Sequence, residues 1–353
     1  MKPFIAACAA LASSLTISLG AHAQSSSVTL GGTVDTFVGS MRNAGDPVRV
    51  KILGSGGMTT SYFGVFGVED LGGGLTAVFN LNAFFRGDSG SIGRFDGDPF
   101  FARDANVGLK GGLGSVIVGR AKAPNFLPTV FVTPFGDSFT FSPVILHADI
   151  NTAKWPYAST PSDTGWSNQV TYSTPNFGGL TANLQYQFGE QTSAGNTSKH
   201  NLGGNLIYFG GPWVLTAFYE RDQITNPFPS LITTTVAGVV TPTIRKDWMV
   251  GGSYDFNFLK LFASYGQSKR EVTNYDAKTS SFGAQVPIGV GFVLFDAAYT
   301  KLASPLNLKR ATATLGYDYF MTKRTDLYAM AVYDKVTAQA NATSVALGIR
   351  HRF

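Results

Sequence analysis

At the C-terminus, Val345, Leu347, Ile349, His351 and Phe353 fall on one face of an extended chain, and Ser344, Ala346, Gly348, Arg350 and Arg352 on the other. A strict two-residue period with unlike faces is the signature of a β-strand. The same split recurs in Leu327, Ala329, Ala331, Tyr333 and in Ala311, Ala313, Leu315, Tyr317, and again in Leu202, Gly204, Leu206, Tyr208 and Trp213, Leu215, Ala217, Tyr219. Most of these apolar faces end in an aromatic residue. About sixteen such segments follow one another, beginning near Ser27, Thr59, Leu75, Phe100, Gly114, Ser167, Leu180, Lys199, Trp213, Lys246, Leu259, Ser280, Gly291, Lys309, Thr325 and Thr343. An apolar band closed by aromatics suits a strand whose outer face crosses a bilayer.

The connections alternate in length. Glu69–Gly74, Gly111–Leu113, Pro175–Gly179, Gly210–Pro212, Asn257–Phe258 and Phe320–Arg324 are short; Ser40–Met58, Arg86–Pro99, Ala123–Trp166, Asp222–Arg245 and Gln267–Thr279 are long. Short turns on one rim, long loops on the other and an even strand count describe an all-β, transmembrane antiparallel β-barrel of 16 strands. A soluble sandwich or propeller has no need of aromatic-ended outward faces. Beyond the first twenty or so residues no run of 18 apolar residues exists, which excludes a helical membrane protein. Only 14% of residues are charged, yet 28 Phe, 14 Tyr and 4 Trp supply too much buriable surface for disorder.

Residues 1–23 have the layout of a cleaved signal peptide. Lys2 precedes an apolar stretch from Phe4 to Gly20, and Ala21-His22-Ala23 forms a small-residue cleavage site. The mature domain is then 24–353. Its departure removes the only cysteine, Cys8, and with it thiol chemistry and thiolate metal ligation. The remaining 26 basic and 22 acidic residues leave a net charge of +4, far from a nucleic-acid footprint. No H-E-x-x-H, G-x-S-x-G or Walker motif is present, so neither an enzyme nor a cofactor or metal is expected. Gly72-Gly73-Gly74 follows Glu69-Asp70 with no helix after it, and reads as a turn rather than a phosphate cradle. Glu271 and Asp276, on one long loop, read as solvated acids.

Several stretches resemble the general porins of Gram-negative bacteria, especially the beta-proteobacterial and neisserial group. They are Ser26-Ser27-Val28-Thr29-Leu30, Phe63-Gly64-Val65, Glu69-Asp70-Leu71-Gly72-Gly73-Gly74-Leu75, and Asn106-Val107-Gly108-Leu109-Lys110-Gly111-Gly112-Leu113-Gly114. Further on come Gly119-Arg120, Ser173-Thr174-Pro175-Asn176-Phe177-Gly178-Gly179, Gly316-Tyr317-Asp318-Tyr319 and Gly348-Ile349-Arg350-His351-Arg352-Phe353. They occur in the family's order across almost the whole mature chain. The resemblance implies a water-filled barrel in outer-membrane lipid, usually a homotrimer, that passes ions and small hydrophilic solutes by passive diffusion. It implies that the long third loop, 123–166 here, folds into the lumen and narrows it. It also implies that Phe353 is the outer-membrane assembly signal.

A pore of this kind sorts solutes by its width and by the charges on its wall. The residues expected at the constriction or in the lumen are Asp35, Arg42, Tyr62, Phe66, Arg86, Arg103, Asp104, Arg120, Lys122, Phe131, Phe135, Asp137 and Thr171. Members of the family commonly have basic residues where Tyr62, Phe66 and Thr171 stand. Alternation turns Asp35, Asp104, Lys110, Asp247, Asp255, Asp296, Asp318, Arg350 and Arg352 inward, a set in which acids predominate. Weak ion selectivity is therefore expected. Two readings stand beside each other. In one, Arg42, Arg86, Arg94, Arg103, Arg120 and Lys122 rebuild a basic cluster at strand tops. In the other, Phe126, Phe131, Phe135, Phe139 and Phe141 make an aromatic constriction for aromatic or weakly polar nutrients, although packing of those rings against the wall is the favoured explanation. A closed structural or adhesive barrel is a third, weaker reading. Arg120 shares parity with outward Val116 and Val118, which conflicts with a place in the lumen.

Overall fold

The computed structural model describes residues 26–353 except 153, 156–163, 237, 272–274 and 304–306; residues 1–23, read as a signal peptide, lie outside the described residues. The strands are β1 (Ser27–Met41), β2 (Val50–Ser55), β3 (Tyr62–Gly72), β4 (Leu75–Phe84), β5 (Asp104–Gly111) and β6 (Gly114–Lys122). Two short helices follow, α1 (Phe126–Val130) and α2 (Pro143–Ala148). The chain continues through β7 (Gly165–Ser173), β8 (Leu180–Phe188), β9 (His200–Gly210), β10 (Trp213–Asp222), β11 (Thr233–Val236), β12 (Val239–Pro242), β13 (Arg245–Asp255) and β14 (Lys260–Arg270). It ends with β15 (Asp276–Ile288), β16 (Gly291–Ala303), β17 (Leu308–Phe320), β18 (Thr325–Val336) and β19 (Ala342–Arg352).

All pairings are antiparallel, and β1 closes the sheet on β19 in the register Thr33↔Arg352 to Ser40↔Val345. The sheet contains 17 segments, but β2 and β3 are two halves of one barrel strand. Both pair with β1, β2 along Thr36–Met41 and β3 along Ser27–Thr33. The barrel thus has the sixteen strands expected, with β11 and β12 forming a separate hairpin in an outer loop. Apart from β2 with 6 residues and β5 with 8, each barrel strand has at least the roughly nine residues that a tilted membrane strand needs.

The outward positions face away from the protein. Leu347 is 62% exposed while its neighbour Ala346 is 5% exposed, the difference expected of a lipid face and a lined interior. Near the short-turn rim Trp213, Tyr254, Phe256 and Phe258 form a continuous aromatic run, with successive ring centroids 4.5, 4.4 and 6.1 Å apart. The triple glycine makes the β3–β4 turn at φ of +80, +61 and +79°, values open to Gly at no steric cost. The Asp70 carboxylate accepts the Gly72 N–H there at 2.8 Å.

Two boundaries differ from the sequence reading. The stretch 40–58 was expected as loop, yet Val50–Ser55 pairs with β1. Its alternation is obscured because Ile52 packs inward while Leu53, at 58% exposure, faces outward. Likewise β14 runs on to Arg270 and β15 begins at Asp276, which shortens the loop placed at 267–279. Between β2 and β3 the chain bulges off the sheet around the buried Asp35. The N–H groups of Gly57, Met58 and Thr59 donate to its carboxylate at 3.0, 2.8 and 2.8 Å, and the Tyr328 hydroxyl donates as well. Four donors on one carboxylate replace the ladder bonds that the strand gives up.

Candidate functional site

The connection between β6 and β7 folds into the barrel. It starts from a bulge at Gly119, whose φ of +120° no other residue adopts comfortably and whose missing side chain would meet Ala105 O at 2.3 Å. The register slips between Gly119 and Ala121. One extra residue re-aims the strand, so Arg120 and Lys122 both reach the lumen despite the parity of Val116 and Val118. The Arg120 guanidinium is then fixed by Ala102 O at 2.6 Å, Gly165 O at 2.9 Å and Ser167 Oγ at 3.0 Å.

From this root the loop crosses the lumen and is held on three sides. Glu220 on β10 accepts the Asn125 backbone N–H at 2.8 Å and its side-chain amide at 3.1 Å. The Asn205 amide donates to Pro124 O at 2.8 Å. Further along, Thr133 donates to Asp296 at 2.7 Å, Ser138 to Gly57 O at 2.6 Å, and Thr314 to Phe141 O at 2.7 Å. Phe135 and Phe141 join Phe37, Met58, Leu294, Tyr328 and Met330 in a buried apolar cluster. Those two rings therefore pack the loop against the wall. Phe131 stacks edge-on against Phe209 at 5.3 Å. Phe126 and Phe139 line the open lumen.

α2 is fastened through His147, which is fully buried. Its Nδ1 and Nε2 lie 2.8 Å from the hydroxyls of Thr300 and Thr312. Burial, reinforced by the nearby Arg310 guanidinium, holds the imidazole well below its usual value of 6.5. A histidine neutral in place and protonated when released favours release in acid. This anchor is thus at full strength above about pH 6.5 and weakens as pH falls below it. Open-channel current noise should rise between about pH 6.5 and pH 5 in the native protein and stay flat in His147→Gln. Equal pH dependence in both would contradict the anchor.

The loop leaves a cavity of about 860 Å³. Arg86, Arg94, Arg103, Arg120, Lys122, Arg245 and Arg270 line it, against the carboxylates of Asp137 and Asp149. Five of the six bases of the rebuilt cluster are among them. Arg42 is not: it stays in the first outer loop, where its Nε donates to Asp46 O at 2.9 Å. Arg245 and Arg270 were missed because they lie at or within stretches read as loop. Their signal was their position at the strand tops, Arg245 in phase with Asp247 and Met249.

The acids that alternation turns inward are mostly consumed by bonds within the wall. Asp104 is held by Lys122 at 3.1 Å and by the Asn82 amide at 2.9 Å. Asp318 and Asp326 hold Arg350 at 3.3 and 3.1 Å. Tyr62 serves as a platform, with the Arg103 guanidinium 3.8 Å from its ring centroid. Phe66 faces inward lower on β3, near Gly31. Thr171 donates to Gln169 at 3.2 Å on the β7 wall. On the loop, Asp137 accepts the Thr59 hydroxyl at 2.9 Å, and Arg350 donates to that same hydroxyl oxygen at 3.0 Å. Cations and the loop carboxylates of Asp137 and Asp149 therefore line the same opening.

Residues 7–339 match the family model described as Gram-negative porin. Outer membrane porin protein 32 of Delftia acidovorans is 33% identical, with the whole of both chains covered. The anion-selective porin from Comamonas acidovorans has a structure that superposes with a TM-score of 0.77 at 29% identity, covering 93% of this chain and 100% of that one. OmpT of Vibrio cholerae in its trimer form, 15% identical, shares the fold with a TM-score of 0.67, covering 93% of this chain and 100% of that one.

Proposed function

The chain belongs to the Gram-negative porin family, and on that footing we propose that its lumen is an anion-preferring constriction set by Arg86, Arg94, Arg103, Arg120 and Lys122 opposite Asp137. It is an outer-membrane porin, a non-enzymatic diffusion channel. The observation behind the anion preference is the lining itself, seven cationic side chains and two carboxylates around one opening, with Arg86, Arg94, Lys122 and Arg245 also paired to Asp96, Asp98, Asp104 and Asp247. Fixed charges on a low-dielectric wall concentrate mobile counter-ions in a pore. The naming of a similar porin as anion-selective points the same way. The burial of Phe135 and Phe141 against the wall argues against an aromatic slide as the selectivity device.

Purified protein in a planar bilayer should give discrete conductance steps, grouped in threes for the homotrimer we propose. In a KCl gradient the reversal potential should have the sign of a permeant anion. The preference should be marked at 0.1 M salt and faint at 1 M, because the screening length falls from about 10 Å to about 3 Å. A cation-signed potential at low salt would overturn the proposal.

For Phe353 the proposal is a part in assembly. Its N–H donates to Gly32 O at 3.1 Å and its carbonyl accepts the Gly32 N–H at 3.2 Å, so the last residue closes the β1–β19 seam. Its ring remains 45% exposed on the lipid side. Deleting Phe353 should lower heat-modifiable, folded protein in the outer-membrane fraction severalfold. An unchanged folded fraction would remove Phe353 from assembly.

A further inference from the structure

Behind the loop root, on the inward face of two adjacent strands, lie three acids that diffusion through the lumen does not require. Glu220 and Asp222 on β10 and Asp247 on β13 are all buried, and each offers a carboxylate oxygen within 4.8 Å of the others. Their partners differ. Asp247 is compensated by Arg245, whose Nε lies 3.1 and 3.0 Å from its two oxygens. Among the described residues Glu220 receives only the neutral N–H groups of Asn125. Asp222 is fully buried, and among the described residues neither of its carboxylate oxygens has a hydrogen-bond partner. A buried carboxylate with no donor is among the costliest groups a fold can hold. Arg245 lies opposite Asp222 in the strand register, but its Nε is directed at Asp247 and Ser268.

We propose that Glu220, Asp222 and Asp247 bind one hard divalent cation, of the Ca²⁺ class, which fastens the root of the third loop to the barrel wall. Three features select that class. The donors are all carboxylate oxygens, with no imidazole or thiolate to favour zinc. Oxygens that all lie within 4.8 Å of one another can share one coordination sphere, and a site that draws several carboxylates from the protein suits Ca²⁺ better than Mg²⁺, which gives up its waters reluctantly. Against three carboxylates stand Arg245 and, beside Asp247, Arg270, so the site still has negative charge to offer. Water can complete the coordination. A void of about 40 Å³ lined by Asp247, Ser268 and Thr129 adjoins the site, and Arg245 opens onto the main cavity. The ion would act through Glu220. That carboxylate would bridge the metal and Asn125, making the entry of the third loop part of the metal's outer shell.

The test uses full mature protein in detergent, folded without lipopolysaccharide, stripped with a chelator and titrated with CaCl₂ by calorimetry. The expected result is one saturable Ca²⁺ per chain, with Mg²⁺ weaker. Asp222→Asn and Glu220→Gln should each weaken binding by about tenfold or more, since ligand charge sets affinity. Glu271→Gln, at an exposed acid paired with Lys246 at 2.7 Å, should leave it unchanged. Chelation should raise single-channel current noise in the native pore but not in Asp222→Asn. Absence of saturable binding by folded native protein would overturn the proposal. So would equal affinity in native protein and both ligand variants, or an Asp222→Asn barrel more stable than the Ca²⁺-saturated native one, which would mean that the acids merely share a proton.

Discussion

Replacing Arg86, Arg103 and Lys122 together by Gln is expected to abolish the anion preference of the channel and move its zero-current potential in a KCl gradient to zero or beyond. The three side chains come from the second outer loop, the segment leading into β5 and the end of β6, yet they line one opening. One unit charge about 4 Å from an ion in water changes its energy by about 1 kcal/mol, or its local concentration by about fivefold. Removing three, even with substantial screening, outweighs the margin that any single residue supplies. Asp96, the partner of Arg86, is exposed and tolerates the change. Asp104 is buried and loses both Lys122 and Arg103 while keeping the Asn82 amide, so the variant should be less stable than the native barrel and is read only on protein shown to be folded. Arg120 is left in place because the Ala102 and Gly165 carbonyls and the Ser167 hydroxyl depend on it. The change should be read at 0.1 M salt. An anion-signed potential of native size in the triple variant would place selectivity elsewhere, with Arg245 and Arg270 the next residues to test.

The barrel was legible because membrane strands repeat one rule. Each outward position must be apolar, so Val345, Leu347 and Ile349 announce a strand without any knowledge of what they touch. The strand half that was obscured, β2, is the one that breaks the rule, with apolar Ile52 turned to the interior cluster and Lys51 on the same face as outward Leu53. The charge of the lumen was legible only in part, for a different reason. Alternation gives the face of a residue and not its partner. It counted Asp35, Asp104, Asp247 and Asp318 as inward acids, and inward they are. Backbone N–H groups, Lys122, Arg245 and Arg350 neutralise them in the wall. The bases that remain at the opening come from loops and from one bulge, where period-two arithmetic does not apply. Gly119 was visible as a glycine beside Arg120. That it carries a bulge follows only from the pairing of β6 with both β5 and β7.

The loop that narrows the pore hangs on a buried network whose disruption should be the most damaging single change in the barrel. Arg310 on β17 is 1% exposed and bonds Asp334 on β18 through Nε at 3.0 Å, while its Nη1 reaches Leu146 O in α2 at 3.0 Å. Asp334 also accepts the Thr312 hydroxyl at 2.7 Å and the Ala44 N–H at 3.1 Å. Thr312 in turn meets His147, and His147 meets Thr300. Arg310→Met strands the Asp334 carboxylate with two neutral donors and deprives α2 of a cation at its C-terminal end. Breaking one side of such a pair typically costs about 3–5 kcal/mol, because an uncompensated charge stays buried. Arg310→Met should therefore lower the urea midpoint of barrel unfolding in detergent and destabilise the open-channel current. Adding Asp334→Asn should recover most of the loss in stability, since the amide can still accept the Ala44 N–H and donate to Thr312. It should not restore the bond to Leu146 O, so the noisy current should persist in the double variant. If stability and noise recovered together, the salt bridge alone would fix the loop; if neither recovered, the loop contacts would dominate both.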